Sequence, residues 1–252
     1  MLKDETITNF SCKTDIGKKR KNNEDTAQGV KGPYSTLLVV CDGMGGHRKG
    51  EVASSLIRDS LIINFQKNRK KFNLRRVKHF FRKYLKVANK EIYKMSMDGT
   101  DVKEMGSTVV ASMIYDGGTY IVSAGDSRCY TYSKEDGLIQ RTTDQTYVQV
   151  LFEEGKITKA EMAQHPQKNL LVNAVGILPE LTHLQEFYLP NDTYETLLLC
   201  SDGLYNMVSE NEIVSILQNG LLTVEQKAQA LIDKALENGG NDNIAVALWE
   251  NM

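Results

Sequence analysis

The chain has 252 residues, 41% of them hydrophobic and 25% charged, with a formal net charge of −1. This balance excludes a globally disordered chain and a uniformly basic nucleic-acid binder, and the length suits one large domain or two small ones. No apolar stretch approaches the ~20 residues that span a bilayer, and residues 1–6 lack the apolar core of a secretory leader, so a cytoplasmic location is the expectation.

In chain order, residues 7–14 and 26–30 read as strands, and Lys31-Gly32-Pro33 turns the chain into a third. That third run, Thr36-Leu37-Leu38-Val39-Val40-Cys41, is continuously apolar, as a strand buried on both faces would be, and ends in Asp42-Gly43. Residues 50–94 carry helical periodicity, with a break near residues 68–73. Between Lys67 and Lys94 ten further Lys and Arg residues face the single acid Glu91, interleaved with an apolar stripe. The pattern fits an amphipathic helix with a solvated basic face, or a docking face for an acidic partner or anionic surface.

Residues 106–115, 119–124 and 128–132 read as strands, and Asp116-Gly117-Gly118 and Asp136-Gly137 as hairpin turns. Residues 145–175 break into short helical pieces, a plausible flap. Strands at residues 182–189 and 196–200 follow, then helices at 209–218 and 223–237, the first opened by a Ser209–Glu212 capping box, and a last strand at 244–248. Strands and helices in this order predict an α+β layered fold of stacked sheets with helices outside. The four cysteines, Cys12, Cys41, Cys129 and Cys200, lack CxxC or zinc spacing and are expected as free thiols, three of them in apolar or strand-like contexts that imply burial.

The strand-end device recurs. Thr196-Leu197-Leu198-Leu199-Cys200 ends in Ser201-Asp202-Gly203, and a third acid, Asp242, stands in a glycine turn directly before the last strand. Three short carboxylates on rigid strand ends can converge, and a cluster of like charges calls for a cation. Hard oxygen donors suit magnesium or manganese. Gly43, lacking a side chain, can offer its carbonyl beside Asp42. The glycine-rich Asp42-Gly43-Met44-Gly45-Gly46 segment is no nucleotide loop. Counting from Gly45, the second Walker glycine would be Gly50, which is followed by Glu51-Val52, and the dinucleotide fingerprint meets Arg48 where its third glycine belongs. Arg20-Lys21-Asn22-Asn23-Glu24-Asp25 is either a solvated charged turn or an arginine fork that binds phosphate beside a metal. Asp126, in Gly125-Asp126-Ser127-Arg128, alone reads as a hairpin aspartate.

Taken together, Asp15-Ile16-Gly17, Asn22-Asn23-Glu24-Asp25, Asp42-Gly43-Met44-Gly45-Gly46-His47, Gly106-Ser107-Thr108, Gly125-Asp126-Ser127-Arg128, Asp144-Gln145, Ser201-Asp202-Gly203-Leu204 and Gly240-Asn241-Asp242-Asn243 follow one family order. In that order the chain resembles the metal-dependent serine/threonine protein phosphatases of type 2C, in particular the compact bacterial members. The resemblance implies an αββα sandwich, two stacked antiparallel β-sheets flanked by helices, as a single catalytic domain over residues 1–252 with a flap at about residues 145–175. It implies two Mn2+ or Mg2+ ions and a weaker third. Asp42 would bridge the two ions, the Gly43 carbonyl would bind one, and Asp202 and Asp242 the other. Asp126, with Asp202, would form the third site, Glu24 and Asp25 would touch a metal or stand just behind its ligands, and Arg20 would hold the substrate phosphate. It also implies direct attack by a water bridging the ions, phosphoprotein substrates and an opposing serine/threonine kinase; no nucleic acid is expected, and a monomer is the default.

Two positions depart from common family patterns. Met44 stands where some members place a proton-donating histidine, which leaves a bound water or His47 as the proton source. Gln145 follows Asp144 where histidine is common, and Asp144 is expected to anchor the base of the flap. A silent phosphoprotein-binding relative is disfavoured by intact Arg20, Asp42, Asp202 and Asp242, and a nuclease using the basic helix would show steep salt dependence.

Overall fold

A computed structural model describes residues 9–45, 49–68, 70–97 and 105–251. Two antiparallel sheets are stacked face to face. One runs in the order β1 (Phe10–Asp15), β11 (Ile244–Glu250), β10 (Thr196–Cys200), β7 (Arg128–Ser133) and β8 (Gly137–Gln140). The other runs β2 (Asp25–Lys31), β3 (Ser35–Met44), β5 (Val109–Tyr115), β6 (Gly118–Ala124) and β9 (Gln185–Leu189), with the short β4 (Gly106–Ser107) against the end of β3. Helices α1 (Lys49–Lys67) and α2 (Leu74–Met97) cover the second sheet. Helices α5 (Asp202–Tyr205), α6 (Glu210–Leu217) and α7 (Val224–Glu237) cover the first. The expected αββα sandwich is what the chain forms.

The four layers explain the apolar runs. Along β3, Leu37, Val39 and Cys41 pack under α1 and α2, while Leu38 and Val40 point into the space between the sheets. Along β10, Leu198 and Cys200 pack under the other helices and Leu197 and Leu199 meet the opposite sheet. Successive side chains therefore enter two different cores, so antiparallel strands lose the usual apolar/polar alternation. Each fully buried Leu or Val contributes roughly 1.5–3 kcal/mol, which anchors both strands firmly up to their terminal aspartates.

Local signals set most element ends. The Ser209–Glu212 capping box is formed, Ser209 N–H donating to Glu212 Oε2 at 2.9 Å, and two more boxes, Thr158–Glu161 and Thr223–Gln226, open α4 (Lys159–Gln164) and α7. The break between α1 and α2 lies over residues 68–73, as periodicity indicated. Three boundaries differ from the sequence reading. The strand foreseen at 106–115 is interrupted at Thr108, the one foreseen at 182–189 begins at Gln185, and Asp202–Tyr205 forms a short helix that no periodic signal marked. Residues 7 and 8 of the first expected strand lie outside the described residues, as do Gly46, His47 and Arg69.

Residues 145–175, the expected flap, carry α3 (Tyr147–Glu153) and α4, with isolated bridges Thr146–Leu171 and Ser107–Val175 at the base of the segment. Cys41, Cys129 and Cys200 are fully buried, and Cys12 is half-buried against the inter-sheet core; all are free.

Candidate metal centre

The carboxylates meet where β3, β6 and β10 finish and β2 and β11 begin. Asp25 and Asp42 are direct partners across the β2–β3 ladder. Asp202 opens α5 straight after β10, Asp242 ends the glycine turn before β11, and Asp126 lies in the turn between β6 and β7. Asp42, Asp126, Asp202 and Asp242 line one cleft of about 600 Å3, together with Arg20, Glu24 and Gly43. Asp25 is 5% exposed and stands behind Asp42 in the sheet.

Backbone contacts fix these positions. On the far side of Asp42 from Asp25, Thr108 continues the β3–β5 register. Asp42 N–H donates to Thr108 Oγ1 at 3.0 Å, Thr108 N–H donates to the Asp42 carbonyl at 2.9 Å, and Ser107 Oγ donates to the same carbonyl at 2.9 Å. Glycine is required where backbones touch. A Cβ on Gly43 would lie 2.1 Å from the Gly50 carbonyl oxygen, and one on Gly203 would lie 1.9 Å from that of Asn243. Asn243 then ties three loops together: its Oδ1 accepts from Glu24 N–H at 2.8 Å, and its Nδ2 donates to the carbonyls of Ile16 and Asn22, each at 2.9 Å.

Burial and mutual repulsion push the cluster toward protonation. Burial first, then the Asp202 and Asp242 charges, lift Asp25 to about 8. Burial and the Asp202 charge lift Asp126 to about 7, and burial and Asp242 lift Asp202 to about 6. Asp42, buried among Asp25, Asp202, Asp126 and Asp242, is raised well above the usual carboxylate range. Glu24 is also raised, chiefly by burial, although Arg20 opposes the shift.

Among the described residues, no three of these side chains close around an ion-sized point as they stand. The fit to a metal lies in the chemistry of the donor set. Every ionisable donor is a carboxylate, which suits a hard dication. Asp25 Oδ2 is buried with no hydrogen-bond partner, an orphan that costs free energy until a cation or proton satisfies it. The spot a Gly50 Cβ would fill has Glu24 Oε2 at 2.6 Å and the Gly43 carbonyl oxygen at 2.7 Å. These residues fit a divalent-ion centre.

Arg20 reaches the cluster, donating from Nη2 to Asp242 Oδ2 at 2.7 Å, with half its side chain exposed. That bond, more than the nearby Asp42 and Asp202 charges, raises the guanidinium pKa further. Asp144 does not itself bind the flap. It pairs with Arg128, whose Nη2 lies 2.6 Å from Asp144 Oδ2 and whose guanidinium lies 3.6 Å from the Tyr205 ring centre. Tyr205 Oη in turn donates to the Asp126 carbonyl at 3.1 Å. Gln145 takes the anchoring part: its Oε1 accepts from Gly125 N–H and from Asn173 Nδ2, each at 2.8 Å. Sequence reading missed Gly50, Asn243 as a clamp, and the Thr108–Ser127 hydroxyl pair at 2.7 Å. The adjacent motifs were visible, but each of these roles depends on a partner far away in the chain.

Comparison with known proteins identifies the family. The model of the protein phosphatase 2C family matches residues 17–238. The serine/threonine phosphatase stp of Listeria monocytogenes is 36% identical over 94% of this chain and 94% of its own, and the protein phosphatase PhpP of Streptococcus pneumoniae 33% identical over 95% and 96%. The crystal structure of serine/threonine phosphatase Stp1 from Staphylococcus aureus superposes with a TM-score of 0.88 at 32% identity, covering 98% of this chain and 96% of that one. The serine/threonine phosphatase PstP/Ppp of Mycobacterium tuberculosis gives 0.82 at 32% identity, covering 96% and 97%. The chain belongs to the protein phosphatase 2C family and is a metal-dependent protein phosphatase.

Proposed function

We propose that the protein releases phosphate from phosphoserine and phosphothreonine in proteins, with two Mn2+ or Mg2+ ions held by Asp42, the Gly43 carbonyl, Asp202 and Asp242. Asp126, with Asp202, offers a weaker third position, and Glu24 and Asp25 stand beside and behind the ligands. The observation that supports this most is the convergence of Asp42, Asp126, Asp202 and Asp242 at one cleft with Asp25 directly behind Asp42, the carboxyls of Asp25, Asp42, Asp126 and Asp202 being lifted by burial and by neighbouring acids. The names of the relatives from Listeria and Staphylococcus support the serine/threonine preference.

Divalent ions bound there supply a water of lowered pKa and neutralise charge on the phosphate. The chain's own residues do the positioning. Arg20 carries a fork of donors and can share them between Asp242 and a phosphate oxygen, stabilising charge as the phosphorus–oxygen bond to the serine or threonine breaks. The Ser107 and Thr108 contacts hold the Asp42 backbone, which limits how far its carboxylate can move. Met44 lines the cleft and cannot donate a proton, so in this reading the leaving oxygen takes its proton from water; His47, the weaker candidate from the sequence, lies outside the described residues. No cysteine serves as nucleophile: burial pushes the Cys12 and Cys200 thiols up to about 12 and those of Cys41 and Cys129 higher.

In this reading residues 1–252 are one catalytic domain with residues 145–175 as its flap, the protein acts as a cytoplasmic monomer, and a serine/threonine kinase supplies its substrates. No helix among the described residues is long and apolar enough to cross a membrane. The test is phosphate release from a phosphothreonine peptide with manganese and with chelator, for the wild type and Asp242→Asn. Release that needs manganese and collapses in the variant supports the reading; release that survives both removes the metal from the mechanism. Manganese titration of Asp202→Asn checks the shared ligand, since unchanged affinity and turnover would take Asp202 out of both sites.

A further inference from the structure

Charge is sharply segregated in this chain. Residues 60–90 contain eleven Lys and Arg and no Asp or Glu, so the remainder carries −12 against a total of −1. In the structure this stretch spans the end of α1 and most of α2. A groove of about 720 Å3 opens between them. Phe72, Phe80 and Tyr84 form its apolar part, with ring centres 5.8 Å apart for Phe72–Phe80 and 5.0 Å for Phe80–Tyr84. Lys67, Arg75, His79 and Lys83 line it as well, and no carboxylate does among the described residues.

We propose that this groove docks an acidic segment of the phosphoprotein substrate, away from the cleft that releases phosphate. The proposal rests on the phosphatase reading and adds a second point of substrate recognition. Three features favour an acidic peptide. The groove is concave and pairs aromatic rings with cations, which fits a strand of Asp and Glu carrying one apolar anchor. Among the described residues, only Lys71 and Arg82 of residues 60–90 reach carboxylates, Asp116 and Glu186, at the margins, so the unneutralised charge is local. The exposed face continues along α2 through Lys83, Lys86 and Lys90, and beside it the buried Asn89 side chain holds residues 176–178, just after the flap segment, by donating to the Leu178 carbonyl at 3.0 Å and accepting from Gly176 N–H at 2.7 Å. Ile177 of that segment lines the cleft. A basic track thus runs from the groove toward the active site.

The geometry sets a spacing. Helix α1 starts at the cleft, where Gly50 meets Gly43, and reaches the groove at Lys67. Seventeen residues at ~1.5 Å rise separate the two by about 26 Å, which an extended chain covers in about eight residues at ~3.3 Å each. An acidic segment joined to the phosphoresidue by that many residues or more gains from effective concentration.

The experiment uses two phosphothreonine peptides, one plain and one carrying a Glu/Asp/Phe tract after a twelve-residue Gly/Ser spacer, and the double variant Arg75→Glu/Lys83→Glu, both positions exposed. A KM for the tailed peptide at least ten-fold below that of the plain one, with equal kcat, is expected in the wild type. The double variant should abolish that difference while leaving the plain peptide unchanged, and 0.5 M salt should reduce it by screening. Equal KM values in the wild type overturn the inference and leave the phosphatase reading standing. Fluorescence anisotropy of the unphosphorylated tail reads docking without catalysis. Tail binding lost in the double variant supports the inference even if neither peptide is turned over, an outcome that would count against the phosphatase reading alone. Absence of tail binding alongside sedimentation with phosphatidylserine vesicles, or tight binding of a DNA duplex, overturns it in favour of those partners.

Discussion

The strand ends at Asp42 and Asp202 use the same letters and different backbones. Both follow strands whose side chains alternate between two cores, and both are followed by a glycine whose Cβ would strike a backbone carbonyl. Beyond that they diverge. Asp42 is still inside β3, with Asp25 beside it on one neighbouring strand and Thr108 on the other. Asp202 has already left its strand and opens α5. The preceding Ser201 does not cap that helix, because its Oγ accepts from Ala245 N–H at 2.9 Å. One aspartate is held by a ladder with a hydroxyl behind it; the other by a helical turn and a contact from Asn206 Nδ2 at 3.1 Å. In the proposed centre, the aspartate whose backbone is held from both sides would be the central ligand and the one on a short turn a flanking ligand.

The largest effect should come from the carboxylates themselves. Asp42→Asn is expected to lower kcat by about 10^3-fold or more and Asp202→Asn by about 10^2-fold, measured at saturating manganese; equal losses would erase the distinction between central and flanking ligand. Next come the glycines. Gly43→Ala and Gly203→Ala each force apart two backbones, and each should cost about 2–4 kcal/mol in denaturant unfolding. A neutral result at either would show that the contact gives way easily.

The pH dependence of the metal-free protein tests the cluster as a whole. Asp25, Asp126 and Asp202 titrate at about 8, 7 and 6 when folded, against ~3.9 for an unperturbed Asp. Between those values the folded state binds protons that the unfolded state releases, so stability falls as pH rises. Thermal melts in chelator should show a melting temperature that falls from pH 5 to pH 8.5, and manganese should remove the trend. A stability that rises with pH in chelator would contradict the repulsive cluster. The smallest effects probe the supports. Thr108→Val leaves the Asp42 N–H unpaired and should cost about 1–2 kcal/mol, whereas Asn206→Ala, at an exposed contact, should cost under ~0.5 kcal/mol.

Much of the fold was legible because its signals are local. The apolar runs at Thr36–Cys41 and Thr196–Cys200, the break at residues 68–73 and the Ser209 capping box each depend on neighbours within a few residues, and each appears where the pattern placed it. The order of the acidic motifs pointed to the family before any geometry was available. Gly50 was legible only as a failed nucleotide motif, yet its missing side chain is what lets Glu24 and the Gly43 carbonyl come together. Gln145 read as a departure, and its amide proves to tie Gly125 to Asn173 of the flap. Asp144 read as a flap anchor and instead holds Arg128.

The sequence by itself determined which residues carry charge, where most strands and helices run, and that their acids stand at strand ends, since these follow from chemistry and spacing along the chain. Only the tertiary structure decided that Asp25 faces Asp42, that Arg20 meets Asp242 and that Asn243 joins three loops. Those contacts link residues up to 227 positions apart, and close approach of distant backbones is set by how four layers pack.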